Sequence, residues 1–319
     1  MRGGQAARTV GTLVGLALVA AACGGGPGGG QAEPTASCAP GAASCIGLIR
    51  QDATQVSLLA AQSQVVTGTS LLTFGLVTED GQLLAGGAPE VWVARDERSE
   101  PLGPFRASFH RFHPDPESRA PRSPITGFYA ARVEVPQPGR WMAAAVAEVG
   151  GRRLVGVLGF EATEGPVPAQ VGTRAIPART PVATTERELR EVCTRPPPDP
   201  MHYISLDEAL RNGKPTVVVF ATPLLCESQL CGPVVDEVLA VYRKVGPERA
   251  NFVHVEIYPP GKDLEPPPAT EENASPAFKA WGFHTEPWVV VVDAKGTIRA
   301  RFEGPVTADL IEEALQPLL

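Results

Sequence analysis

The hydrophobic positions of this chain change their period twice. From residue 55 to 163 they come in short runs with turn signals every ten residues or so. "SLLTFGLVTEDGQLLAG" holds two apolar runs around Asp80-Gly81, and "PEVWVARD" follows. "GFYAARVEV", "RWMAAAVAEV" and "RRLVGVLGFEAT" are then separated by "PQPG" and by Gly150-Gly151. Short strands at this spacing predict an antiparallel β-sandwich. A stretch at about 95–124, rich in Pro, Arg and His, reads as a long loop between strands. Residues 164–200 lose the period to prolines and read as an interdomain linker. It carries one helical interlude, "TTERELREVC", opened by a Thr185-x-x-Glu188 capping signal.

From 201 to 319 continuous apolar runs alternate with amphipathic ones. "SLDEALRNG" is a short helix stopped at Gly213, and "KPTVVVFA" is a strand apolar enough to be buried on both faces. "PVVDEVLAVYRKVG" is a helix whose apolar stripe is Val234, Val238, Leu239, Val241 and Tyr242, and "ANFVHVEIY" is a second buried strand. A Pro-rich loop leads to a helix in "PAFKAWGF", a hairpin in "PWVVVVDAKGTIRARFEG" and a closing helix in "TADLIEEALQPLL". The order is βαβ, helix, ββ hairpin, helix.

The start of the chain has a different character. Arg2 and Arg8 precede "TVGTLVGLALVAAA", a run that is short for a membrane span, and small residues stand directly before Cys23. Residues 1–22 resemble the signal peptide and lipobox of bacterial lipoproteins, with Ala20 where a leucine is usual. The resemblance implies lipidation of Cys23, a membrane anchor and an extracytoplasmic location at the cell envelope. Residues 23–54 open on "GGGPGGG", which suits a flexible tether to a folded body. Outside the cytoplasm Cys38, Cys45, Cys193, Cys226 and Cys231 are disulfide candidates first. Cys38 and Cys45 flank a small loop and are placed to close on each other; Cys193 is then left over, free or paired with an N-terminal cysteine. Net charge is −7 with no Lys/Arg cluster, so nucleic acid is not an expected partner.

The chemistry concentrates in "FATPLLCESQLCGPVVDEV", residues 220–238. Two cysteines follow a buried strand and precede the long helix. Positions five apart on a regular helix lie ~7.5 Å apart along the axis and ~140° round it, too far for one disulfide. Gly232-Pro233 points to a helix that begins near Pro233, which leaves both cysteines in the loop, free to meet.

The element order, the cysteine placement and "TEPWVVVVDAKGTIRARFEG" together resemble the thioredoxin superfamily over residues 201–319. The stretch "GFYAARVEVPQPGRWMAAAVAEVGG" resembles, in pattern alone, the late strands of immunoglobulin-like domains of exported proteins. The thioredoxin resemblance implies a cis peptide bond at Glu286–Pro287, with Pro287 facing the active-site sulfur. It also implies Cys226 as the attacking thiol and Cys231 as the resolving one, although the positive end of the helix would favour the thiolate nearest to it, expected to be Cys231. The implied activity is thiol–disulfide exchange with exported proteins that carry thiols or disulfides, with no soluble cofactor. Two other readings stand beside it. One is a redox-inactive binding module held by a structural disulfide; the other is a copper site of Cys226, Cys231 and His284, as in the Sco-type copper chaperones. His110 and His113 in "FHRFHP" are spaced like a metal pair but read as a solvated loop. His254 reads as a packed strand residue, and Trp281 and Trp288 as packing around the proline.

Overall fold

A computed structural model describes residues 45–319 apart from positions 52 and 121. The expected signal peptide, Cys23, Cys38 and most of the tether lie outside the described residues. A one-turn helix α1 (Ile46–Ile49) leads into eight strands: β1 (Thr54–Ala60), β2 (Val65–Val66), β3 (Gly68–Val77), β4 (Glu90–Ala94), β5 (Leu102–Arg111), β6 (Gly127–Val135), β7 (Gly139–Val149) and β8 (Arg152–Thr163). They hydrogen-bond in the order β1-β3-β6-β5-β4-β7-β8-β2, and β1 also runs parallel to β8. The expected all-β unit is there, as one barrel-like sheet closed through β1 rather than two separate sheets. The β4–β5 ladder carries a register shift at Val91/Val93. Alternate residues fill the interior, among them Leu72, Phe74 and Leu76 of β3 and Tyr129, Ala131 and Val133 of β6.

Strand β5 corrects the loop expected at 95–124. Its Pro, Arg and His content hides a period of two, in which Phe105, Ala107 and Phe109 face the interior. Beyond β5 the chain does form an irregular stretch, and this stretch is pinned. Asp115 is buried and pairs with Arg195 and Arg243, while Arg195 also pairs with Asp236 at 2.9 Å.

The C-terminal half follows the expected order: α3 (Leu206–Ala209), β9 (Thr216–Ala221), α4 (Cys231–Val245), β10 (Asn251–Glu256), α5 (Pro276–Ala280), β11 (Trp288–Val292), β12 (Ile298–Glu303) and α6 (Ala308–Leu315), with α2 (Glu186–Val192) ahead of them. The sheet order is β10-β9-β11-β12, with β9 parallel to β10 and antiparallel to β11. Val217 and Val219 face α4 and α6, whereas Val218 and Phe220 face α3 and α5. That two-sided burial is why "VVVFA" is apolar without a break.

The two halves share a core. The pleat of β6 sends Tyr129 into the barrel and Phe128 and Ala130 outward against Val234, Val238 and Leu310. Segment 164–200, expected as a linker, is packed down. Thr173 and Ala175 bond along β12 through Ile298 and Gly296, and α2 begins with the expected Thr185/Glu188 capping box. Cys193, Arg195 and Asp199, which follow α2, are buried.

Candidate active site

Strand β9 ends at Ala221 and delivers the chain into the loop 222–230. Two bonds hold that loop at its start. The Thr222 N–H donates to Glu286 Oε2 at 2.8 Å, and the Leu224 N–H donates to Thr194 Oγ1 at 3.3 Å. Gln229 takes a left-handed φ of +59°, which turns the chain back on itself so that Cys231 meets Cys226. The two cysteines are disulfide-bonded with Cα atoms 6.0 Å apart, inside the range such a bond tolerates.

The helix begins at Cys231, two residues before the expected start at Pro233. Pro233 is its third residue, where a missing N–H still costs nothing because first-turn amides have no intrahelical acceptor. Leu230, the N-cap, offers no side-chain acceptor. The Cys231 N–H therefore donates to Cys226 Sγ at 3.3 Å, and the Ser228 hydroxyl lies 3.2 Å from the same sulfur. This corrects the electrostatic expectation. The positive end of the helix serves Cys226, not Cys231, because Cys231 is the residue that supplies the amide. Exposure divides the pair the same way: Cys226 is half-buried, while Cys231 is fully buried.

The group gathered with the two sulfurs is the Glu286 carboxylate. One oxygen and both sulfurs all lie within 4.8 Å of one another. Burial pushes Glu286 up to about 7, against the Thr222 hydrogen bonds that favour its ionised form. Its peptide bond to Pro287 is cis, and the Pro287 carbonyl accepts the Gly304 N–H at 2.9 Å. His284 is exposed and is not one of the residues gathered at the sulfurs. A groove of about 750 Å³ opens beside the disulfide. Ser228, Leu230, Thr285 and Glu286 line one wall, and Leu59 and Ile125 of the N-terminal half line the other.

A family model for a thioredoxin-like domain matches residues 204–318. That stretch is a thioredoxin-like domain. Among solved structures, a thiol-disulfide isomerase from Corynebacterium glutamicum is 21% identical. The match covers 35% of this chain and 84% of that one, with a TM-score of 0.29. A thiol:disulfide interchange protein of the thioredoxin family from Chlorobium tepidum is 19% identical over 46% of this chain and 99% of that one, with a TM-score of 0.27. A comparison with curated proteins returns no match.

The remaining sequence candidates divide. His110 and His113 go to different carboxylates, Asp309 at 3.1 Å and Glu237 at 3.5 Å. Trp281 and Trp288 are buried, their indole N–H groups donating to Ile176 O and Thr285 Oγ1. Cys45 is disulfide-bonded, and Cys193 is a free, buried thiol that burial pushes up to about 12. Of the two fates left open for Cys193, free or paired with an N-terminal cysteine, the structure shows the free thiol, at the C-terminal end of α2. There it meets His254 together with Asp199 and His202, two residues not singled out from the sequence. The signal was available in "CTRPPPDPMH", which packs a Cys, an Asp and a His into ten residues of an otherwise Pro-rich stretch.

Proposed function

We propose that this chain is a membrane-anchored, extracytoplasmic thiol–disulfide exchange protein acting through Cys226 and Cys231. The observation that carries the reading is the half-buried Cys226 sulfur receiving the first amide of α4 while its partner sulfur is sealed in the core. An amide and a helix end aimed at a sulfur stabilise its thiolate, and the thiolate is the nucleophile in exchange.

In the reductive direction the Cys226 thiolate attacks one sulfur of a partner's disulfide. A Cys226–partner bond forms, the partner's bond breaks, and the departing thiolate takes a proton. Cys231, deprotonated, then attacks Cys226, releasing the second partner thiol. The pair loses two electrons and the partner gains them. The oxidative direction is the reverse. Glu286, half-buried beside both sulfurs and half-ionised near pH 7, is placed to take the Cys231 proton and return it. The groove beside the disulfide supports a polypeptide partner laid between the thioredoxin-like domain and the β unit.

For the β unit, the order β1-β3-β6-β5 followed by β4-β7-β8 supports the immunoglobulin-like reading, since it matches the ABED and CFG grouping of that fold. The anchor rests on the leader and Cys23. Among the described residues no helix is long and apolar enough to cross a membrane.

The test is trapping. Cys231→Ser should accumulate a mixed disulfide between Cys226 and exported proteins, and Cys226→Ser should accumulate far less. The opposite ratio would reverse the two roles. No adduct from either variant would leave a structural disulfide and remove the activity.

A further inference from the structure

A second cluster, which exchange chemistry does not use, joins the segment ahead of the thioredoxin-like domain to its strand β10. Cys193, Asp199, His202 and His254 come from the packed segment before α3 and from β10, and all four are buried. Each offers one ligand atom, and the four atoms lie within 4.8 Å of one another. His254 Nδ1 is 2.8 Å from Asp199 Oδ2, Cys193 Sγ is 3.3 Å from Asp199 Oδ2 and 3.8 Å from His254 Nδ1, and His202 Nε2 is 3.9 Å from Asp199 Oδ1. A tetrahedral divalent ion with bonds of 2.0–2.3 Å sets its ligands about 3.3–3.8 Å apart. These four separations bracket that range and all four ligand atoms fall within 4.8 Å of one another, so the shell needs only local side-chain adjustment to close.

Two further features point to a ligand. His202 Nε2 is fully buried and has no hydrogen-bond partner, a costly arrangement unless something accepts that lone pair. The far nitrogen of His254, Nε2, lies 3.3 Å from the Ala221 carbonyl, while the Met201 N–H donates to Asp199 Oδ1 at 3.0 Å. Metal-ligating histidines characteristically hand their other N–H to a carbonyl, and ligating carboxylates are themselves hydrogen-bonded.

We propose that Cys193, Asp199, His202 and His254 bind a structural divalent cation of the zinc class. One sulfur, two imidazoles and one carboxylate form a closed four-coordinate set, and full burial excludes the open position of a catalytic ion. On binding, the proton of the Cys193 thiol and any proton on the His254 Nδ1 or the His202 Nε2 are released to solvent, and the ion takes their places. The site straps residues 193–202 to β10.

The experiment uses the full chain with Cys226–Cys231 kept oxidised, so that those sulfurs cannot ligate. Zinc content is measured by elemental analysis, and the protein stripped with a chelator is titrated with Co²⁺. One ion per chain is expected, with an intense sulfur-to-cobalt absorption that disappears in Cys193→Ser. In His202→Gln, which retains a buried polar side chain, affinity should fall by at least about 100-fold. If the variants do not fold, the wild-type chain still decides: stripping should lower its melting temperature and Zn²⁺ should restore it. A folded wild type that takes up neither Zn²⁺ nor Co²⁺ overturns the proposal. So does binding of equal affinity in folded Cys193→Ser and His202→Gln.

Discussion

Replacing Glu286 with Gln should make Cys226 a stronger acid above neutral pH and leave it unchanged below. Gln keeps an acceptor for the Thr222 N–H and removes only the charge. The Glu286 carboxylate lies within 4.8 Å of both sulfurs. At that distance a unit charge acts on a thiolate with about 0.9 kcal/mol at an effective dielectric of 80, and about 3.5 kcal/mol at 20. Divided by 1.36 kcal/mol per pH unit, this is a shift of between ~0.6 and ~2.5 units in the thiol's midpoint. The half-buried position of Cys226 places the result between those limits.

Because burial holds Glu286 at about 7, the carboxyl is neutral below that pH, and Gln then resembles it. The two proteins should diverge only above it, as the repulsion between two negative groups sets in. The assay is the rate of iodoacetamide alkylation of the reduced protein against pH. It reads Cys226, since Cys231 is fully buried. The wild-type midpoint should lie at least ~0.6 units above that of the variant. Equal midpoints, or a higher one in the variant, would refute the placement of a titrating carboxylate at the sulfurs. The same carboxyl has a stability signature of known sign. Between 4.5 and about 7 the folded chain keeps a proton that the unfolded chain has released. Stability therefore falls as pH rises through that window, and Glu286→Gln should flatten that part of the curve.

Three further outcomes are expected. Arg195→Met leaves Asp115 and Asp236 buried without their shared cation and should cost about 3–5 kcal/mol in urea denaturation; a loss below 1 kcal/mol would show that Arg243 carries Asp115 alone. Gly304→Ala places a methyl at φ +74° against the Ala61 carbonyl oxygen and should cost about 1–3 kcal/mol, visible as a lower melting temperature; an unchanged value would mean that the Ala61 turn gives way freely. Thr185→Ala removes the capping box of α2, worth about 1 kcal/mol, and hydrogen exchange in residues 186–192 should quicken without change in β9; matched exchange in wild type and variant would show that packing alone holds the helix.

The C-terminal elements were legible because each carries one period: β9 and β10 are buried on both faces and read as unbroken apolar runs, and α4 shows a stripe. Strand β5 was not, since its alternating Phe105, Ala107 and Phe109 are interleaved with residues that by composition signal a loop. Asp236 and Glu237 are buried on α4, against every local rule for charged side chains. What buries them is distant in sequence: the Asp115 N–H donates to Asp236 and the His113 N–H donates to Glu237, both across more than 120 residues. The helix start was misplaced for a smaller reason. Gly-Pro is a good first turn, but tolerance for proline extends to the third residue, and nothing local separates the two.

The Cys193 cluster and the redox loop, unrelated in sequence, are neighbours in bonding. Thr194, next to Cys193, accepts the Leu224 N–H through its hydroxyl, which in turn donates to Glu256 at 2.9 Å. His254, two residues from Glu256 along β10, lies against the Ala221 carbonyl at the mouth of the same loop. The start of the loop is thus held from two sides: residues 194 and 254 fix its backbone from beneath, and Glu286 fixes Thr222 from the turn before β11. The remainder, from Cys226 to Leu230, bonds within itself and to the first turn of α4, where the Cys231 N–H donates to Cys226 Sγ and the Val234 N–H donates to the Leu230 carbonyl. That division suits the proposed exchange, in which the disulfide would open and close. The cysteine that moves sits on the self-contained part of the loop, and the one that must stay is the first residue of a fifteen-residue helix. Loosening the anchor should therefore act on the geometry of attack rather than on the thiol's acidity. Thr194→Val, which removes the hydroxyl and keeps the volume, should slow exchange while leaving the alkylation midpoint of Cys226 in place. A shifted midpoint would mean that the anchor sets the sulfur's electrostatics as well as its position.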